Sequence, residues 1–314
     1  MQRISIVIPI FNEAGLIKLL IPALEERLVA CLDGYELEIL LVDDGSSDGS
    51  FDLLVEATAG MPHYCIIRLS RNFGHQIAIT AGMAEATGDA VVVMDADLQD
   101  PPEVVLEFVK KWQEGYHVVY GVRESREGES AFKLLTAKLF YRALRSLTNV
   151  DIPADVGDFR LIDRKICDVY NEMREKDPYV RGLISWAGFN QVGVRYARDA
   201  RAAGTTKYPI RKMVKFAIDG ITSFSTIPLR LCTVAGSVLS VFSFLGILYF
   251  LYLKLIARDI IDGLAATAII VLFMGGIQLL GLGIIGEYLA RIFHESKGRP
   301  VYIVQDRVQA RETA

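Results

Sequence analysis

Up to Arg123 the chain alternates short apolar runs, each closed by a polar cluster, with longer stretches of helical spacing. Ile4–Ile8, Leu37–Val42, Cys65–Leu69, Ala90–Met94 and Val118–Val122 are mostly continuous rather than alternating, the pattern of strands buried on both faces. Between them, Leu16–Leu32 sets Leu16, Leu19, Leu20, Leu24 and Leu28 on one helical face. Ser50–Ala57, Gln76–Ala86 and Val104–Trp112 complete the alternation, with Pro101 and Pro102 opening the last helix. Strands alternating with helices predict βαβ units and a mostly parallel sheet, an α/β fold.

The polar clusters fall where open α/β sheets bind ligands, at the carboxyl ends of the strands. Pro9, Phe11, Asn12 and Glu13 follow the first run, Asp43 and Asp44 the second, Arg71 and Asn72 the third, and Asp95 and Asp97 the fourth. Asp48 and Ser50 also read as helix caps. The Asp95-x-Asp97 pair offers hard oxygens suited to Mg²⁺ or Mn²⁺, ions that share their shell with substrate phosphates. The sequence has neither Gly-x-Gly-x-x-Gly nor Gly-x-x-x-x-Gly-Lys, so a diphosphate is expected to be held by metal and basic side chains.

The pattern changes toward the C-terminus. Leu231–Leu253 and Gly263–Gly286 carry no charge, and each exceeds the roughly 20 residues that span a bilayer. The Lys254–Asp262 connection is short, so the two are expected to form a transmembrane hairpin. Arg201, Lys207, Arg211, Lys212, Lys215 and Arg230 precede it, and Arg291, Lys297 and Arg299 follow it; this bias places the N-terminal domain in the cytoplasm. Gln278, Gly275-Gly276 and Gly281-x-Gly283 suit close helix packing and a homo-oligomer. Two basic amphipathic stretches, 131–147 with Lys133 and 208–225 with Arg211, Lys212 and Lys215, suit a headgroup layer. The expected organisation is a catalytic domain over 1–226, a hairpin over 227–290 and a cytoplasmic tail over 291–314.

Composition sharpens this picture. The chain is 52% hydrophobic, with the excess in its C-terminal third, and its net charge of −4 gives no field for nucleic acid. Cys31, Cys65, Cys167 and Cys232 are scattered, which excludes a Cys-x-x-Cys zinc site and argues against a disulfide framework.

Ile6–Glu13, Val42–Asp48, Asp95–Pro102 and Val156–Leu161 together resemble the motifs of family-two glycosyltransferases of GT-A fold. With the hairpin, the whole chain is similar to the polyprenyl-phosphate glycosyltransferases, the bactoprenol glucosyltransferases above all and dolichol-phosphate mannose synthase more distantly. The resemblance implies a nucleoside pocket of Pro9, Phe11, Glu13, Val42 and Asp44, with Asp44 bonding the base. It implies that Asp95, Ala96, Asp97 and Gln99 hold the metal and diphosphate, and that Arg123 and Lys207 contact phosphates. It implies that Asp158 sits by the acceptor as base or positioning group, with Arg160 of the same motif also on the acceptor side. Where many relatives carry Lys after Asn-Phe-Gly, this chain has His75. The implied reaction moves one sugar, glucose from UDP-glucose, to undecaprenyl phosphate at the inner (plasma) membrane. It would use Mg²⁺ or Mn²⁺, invert the anomeric centre and leave the product to a flippase. N-acetylglucosamine, mannose or aminoarabinose donors, and a non-catalytic membrane scaffold, stand as alternatives.

Overall fold

The computed structural model describes residues 1–123, 156–173, 175–197, 227–252 and 264–309. The chain begins with β1 (Arg3–Ile10), α1 (Ala14–Leu24), β2 (Glu36–Asp43), α2 (Ser50–Ala57), β3 (Tyr64–Leu69), α3 (His75–Glu85) and β4 (Ala90–Val93). It continues with α4 (Val104–Gln113), β5 (Val118–Arg123), β6 (Val156–Asp163), α5 (Arg164–Met173), α6 (Val180–Trp186) and β7 (Gln191–Tyr196). Two long helices, α7 (Ile227–Tyr252) and α8 (Leu264–Ser296), precede a last strand, β8 (Val304–Gln309).

The strands form one eight-stranded sheet in the order β7-β5-β6-β4-β1-β2-β3-β8. Its centre, β4-β1-β2-β3, is parallel. β6 runs antiparallel to both β4 and β5, and β8 antiparallel to β3. This is the GT-A architecture. Ile4, Ile6, Val7 and Ile8 are all fully buried, because helices cover β1 on both sides. On one face α1 and α4 supply Leu16, Ile17, Leu20, Leu24, Phe108 and Trp112 to the core. On the other, α3 lies so close that a Cβ at Gly82 would sit 2.2 Å from a Val7 methyl.

Three details differ from the sequence reading. α1 gives way at Glu25 to a π-helical turn through Val29, three residues after Pro22, which has no N–H for the ladder. Leu19 is 54% exposed; Ile17 and Ile21 widen the buried stripe on its other side, so Leu19 falls outside it. The C-terminal stretch expected as a tail contains the end of α8 and then β8, which pairs with Cys65–Leu69. Arg68 faces Asp306, and Arg307 pairs with Glu85.

The chain divides into two compact units. One holds the sheet, including the residues from Arg299 onward; the other holds α7 and α8. In the helical unit Leu229–Gly246 and Phe273–Ser296 are long and apolar enough to cross a membrane, and their side chains are not buried. Leu231, Phe242, Leu279 and Leu280 all stand exposed there. The helix carrying the second span runs to Ser296, ten residues past the uncharged run read from sequence.

Candidate active site

The carboxyl ends of β1 and β2 are laced together. The main-chain N–H groups of Asn12, Glu13 and Ala14 donate to Ser46 Oγ (2.9 Å), Ser50 Oγ (3.0 Å) and Asp48 Oδ2 (3.0 Å). The Ser47 N–H returns a bond to Asn12 Oδ1 at 2.9 Å. Asn12 takes a left-handed φ of 55°, which asparagine tolerates because its short amide bonds locally. Asp48 Oδ1 also accepts from the Ser50 N–H at 3.0 Å, beside the Gly49 N-cap of α2; burial raises its carboxyl pKa, but these hydrogen bonds outweigh that and lower it overall.

Asp44 turns inward to the next loop. Its carboxylate accepts from the N–H groups of Phe73 (2.7 Å) and Gly74 (2.8 Å). Burial raises its pKa and these two bonds pull it back only in part. Gly45 has φ +67°, and a Cβ there would lie 2.4 Å from the carbonyl carbon of Arg71. The β2 and β3 loops therefore touch backbone to backbone. Of the residues expected to line a nucleoside pocket, Pro9, Val42 and Asp44 are buried in this edge, while the Phe11 ring is 45% exposed at its mouth.

Asp95, Ala96 and Asp97 follow β4 after the buried Met94. The Gln99 N–H donates to Asp97 Oδ1 at 3.1 Å, while the Gln99 side chain is buried. Asp95 Oδ1 is buried without a hydrogen-bond partner, and its nearest cation is His75 Nε2 at 3.5 Å. Burial pushes the Asp95 carboxyl up to about 6; His75 opposes this, and Asp158, Asp100 and Asp97 add to it.

The third carboxylate arrives from the antiparallel strand. Arg160 pairs with Val93, so Asp158, two residues earlier on β6, extends past the end of β4. Strand alternation turns Phe159 and Leu161 toward the α4 core and puts Asp158 on the α3 side. There Oδ2 accepts from Gln76 Nε2 (3.0 Å) and lies 3.4 Å from His75 Nε2, while Oδ1 lies 3.1 Å from Arg181 Nε. Burial works to raise the Asp158 pKa, but Arg181, His75 and Arg160 outweigh it and hold the carboxyl well below the usual range. His75 stands between two carboxylates. Burial lowers its pKa, and the bond to Asp158 with the fields of both aspartates raises it overall.

A second ionic cluster closes the β5 side. Tyr196 Oη donates to Asp100 Oδ1 at 2.5 Å, and Arg123 Nη2 lies 3.6 Å from Asp100 Oδ2. Arg123 crosses over Gly157, where a Cβ would meet Nη2 at 2.5 Å.

Arg160, expected on the acceptor side, is buried beside Asp158. It is 3% exposed, donates to the Gly157 carbonyl at 2.9 Å and lies behind Asp158. Burial lowers its pKa to about 10, against the upward pull of Asp158. It therefore serves as an internal counter-charge to Asp158. Lys133, Lys207, Arg211, Lys212 and Lys215 lie outside the described residues. The structure thus brings together Asp95, Asp97 and Asp158, with Asp44 holding the neighbouring loop and Arg123 at the flank. It adds Gln76, Arg181 and Tyr196, which lie outside the motifs, and gives partners to Asp100, which lies within the Asp95–Pro102 motif but had no role assigned. His75, noted for its departure from lysine, also carried a signal in the sequence.

Comparison with known proteins agrees with this geometry. Residues 5–170 match glycosyl transferase family 2. The chain is 53% identical to an uncharacterized glycosyltransferase, YkcC, of Bacillus subtilis over 301 residues, covering 96% of this chain and 93% of that one. It is 36% identical to a prophage bactoprenol glucosyl transferase homolog of Escherichia coli, covering 97% and 99% respectively. It is also 36% identical to the bactoprenol glucosyl transferase of Shigella phage SfV, covering 98% and 100%. The chain belongs to glycosyl transferase family 2 and is a glycosyltransferase.

Proposed function

We propose that this enzyme transfers one sugar, glucose from UDP-glucose, to a polyprenyl phosphate such as undecaprenyl phosphate. The reaction would take place at the cytoplasmic face of the plasma membrane. The observation that carries the reading is the convergence of Asp95, Asp97 and Asp158 at one sheet edge, in a chain with two apolar helices. Relatives named bactoprenol glucosyl transferase align over nearly the whole chain and support the lipid acceptor.

The donor chemistry of the edge fits a divalent cation. Asp95 Oδ1 is a buried oxygen without a hydrogen-bond partner, and Asp97 follows two residues later. Among the described residues no group of three or more His, Cys, Asp or Glu forms a metal cage. Mg²⁺ or Mn²⁺ would therefore rest on Asp95 and Asp97 and draw further oxygens from donor phosphates, as Mg²⁺ commonly does. When bound, the cation supplies Lewis-acid stabilisation of the departing diphosphate.

The chain's own residues do the rest. Asp44 and Gly45 fix the 71–74 loop beside the donor edge. Arg123, anchored by Asp100, adds positive charge on the β5 side. The acceptor phosphate is already anionic near neutral pH, with a second pKa of about 6, so attack needs no strong base. Asp158 is held ionised by Arg181, His75 and Arg160, which suits a fixed charge more than a proton carrier. With both oxygens engaged by cations and an amide, it is also poorly placed as a covalent nucleophile. A single inverting displacement follows.

The test is full-length protein in detergent with undecaprenyl phosphate and a panel of radiolabelled nucleotide sugars, with and without chelator. A lipid-linked monosaccharide that forms from UDP-glucose and disappears with chelator is expected. Absence of lipid-linked product from any sugar nucleotide would overturn the reading, and product from another sugar alone would reassign the donor.

A further inference from the structure

Asp158 has its two oxygens held from opposite sides. Arg181 Nε approaches Oδ1, and Gln76 Nε2 donates to Oδ2. The terminal torsion of an aspartate is broad, so such contacts decide the plane of its carboxylate. Gln76 is itself oriented. Its Oε1 accepts from the main-chain N–H of Val180 at 3.2 Å. A main-chain N–H can only donate, so the amide oxygen must face Val180 and the NH₂ must face Asp158. Val180 begins α6, and the next residue is Arg181, the other ligand of the carboxylate. One amide thus ties the first turn of α3 to the start of α6 and to Asp158. The same stretch of chain begins at Phe73 and Gly74, which Asp44 holds.

We infer that Gln76 is a positioning residue for glycosyl transfer: it sets the orientation of the Asp158 carboxylate relative to the end of β4. This rests on the reading of Asp158 as the acceptor-side anion. Arg181 and His75 supply charge, and Gln76 supplies direction, because among the described residues its amide bonds both Asp158 and the α6 backbone.

The two halves of the amide separate this role from a structural one. Gln76→Glu keeps an oxygen for the Val180 N–H but turns the donor facing Asp158 into an acceptor. Gln76→Met removes both contacts at similar length. The full-length enzyme is assayed in detergent with UDP-glucose and undecaprenyl phosphate, alongside thermal melts. Positioning predicts that Gln76→Glu lowers kcat by about 10- to 100-fold, the scale of a lost hydrogen bond to a charged group. The KM for UDP-glucose stays within about threefold of wild type, since the donor edge does not pass through Gln76. Gln76→Met falls by a comparable factor. In an Asp158→Asn background, Gln76→Glu produces no further loss, because the carboxylate it aligned is gone. A Gln76→Glu enzyme within about twofold of wild type, while Asp158→Asn has collapsed, would overturn the inference and leave Asp158 in place. A loss that appears only in Gln76→Met, together with a lower melting temperature, would do the same. An Asp158→Asn enzyme with wild-type kcat would instead remove the reading on which the inference rests.

Discussion

Asp95 is held at a price in stability, and the size of that price is measurable. Its carboxyl rises from 3.8 to about 6 because burial disfavours the charge more than His75 favours it. The sign follows from proton counting. Between about pH 4 and pH 6 the folded protein holds a proton on Asp95 that the unfolded chain has released. Stability contributed by this group is therefore greatest below about pH 4 and falls as pH rises through 6. A shift of about two units corresponds to at most ~3 kcal/mol of destabilisation at pH 8. Asparagine keeps the shape and removes the charge. Asp95→Asn should then stabilise the metal-free protein by up to ~3 kcal/mol at pH 8, or roughly 5–10 °C in Tm if unfolding is reversible. The gain should shrink to about 1 kcal/mol by pH 4.5. Chelator-treated wild type and variant are melted in the same detergent at both pH values. A variant that is no more stable than wild type at pH 8, or a gap independent of pH, would refute the reasoning. The same substitution should abolish turnover, the opposition expected where binding geometry is maintained against stability.

Four other outcomes follow from the geometry. Gly45→Ala combines a left-handed φ with a backbone collision at Arg71, so it should lower stability by about 1–3 kcal/mol and raise the donor KM, read by melts and kinetics. Asp44→Asn leaves one oxygen for two amides; losing a buried partner should destabilise by about 1–3 kcal/mol in denaturant titration, and an unchanged midpoint would contradict the loop-holding role. Arg160→Met removes a buried counter-charge of Asp158 and the donor to the Gly157 carbonyl, so it should destabilise by about 1–3 kcal/mol in thermal melts; an unchanged melt would remove Arg160 from this circuit. Reporter fusions in the Lys254–Asp262 connection and after β8 should label from opposite sides of the membrane, and labelling from one side would dissolve the hairpin.

The parallel centre of the sheet was legible because its strands are apolar on both faces, as Ala90–Val93 and Leu37–Val42 show. β6 was not read as a strand: Asp158 and Arg160 interrupt Val156, Phe159 and Leu161, and their burial depends on pairing with each other, with Arg181 and with Gln76. That pairing is tertiary and has no period. β8 was hidden for a different reason. An edge strand such as Val304–Gln309 alternates half-buried and exposed positions and carries Gln, Asp and Arg, which resembles a solvated tail. In the site, Asp95 and Asp97 stood out because they end an apolar run. Gln76 looked like an ordinary helix residue, and Arg181 lay in a stretch without a motif.

β8 bears on the membrane reading in a way the charge pattern does not. β7 and β8 are strands of one sheet, and α7 and α8 lie between them in the chain. A polypeptide that leaves a folded sheet and returns to it must cross any intervening bilayer an even number of times. Both helices pass the length requirement: at 1.5 Å per residue, the 26 residues of α7 and the 33 of α8 each exceed a hydrocarbon core of about 30 Å. A single anchor would strand β8 on the wrong side and leave the β3 edge unpaired. In the proposed arrangement the Lys/Arg bias would choose the side the sheet occupies, while the strand pairing requires both ends of the helical segment to lie on one side. Strand pairing thus leaves two crossings or none, and the length and apolar surface of both helices agree with the proposed hairpin.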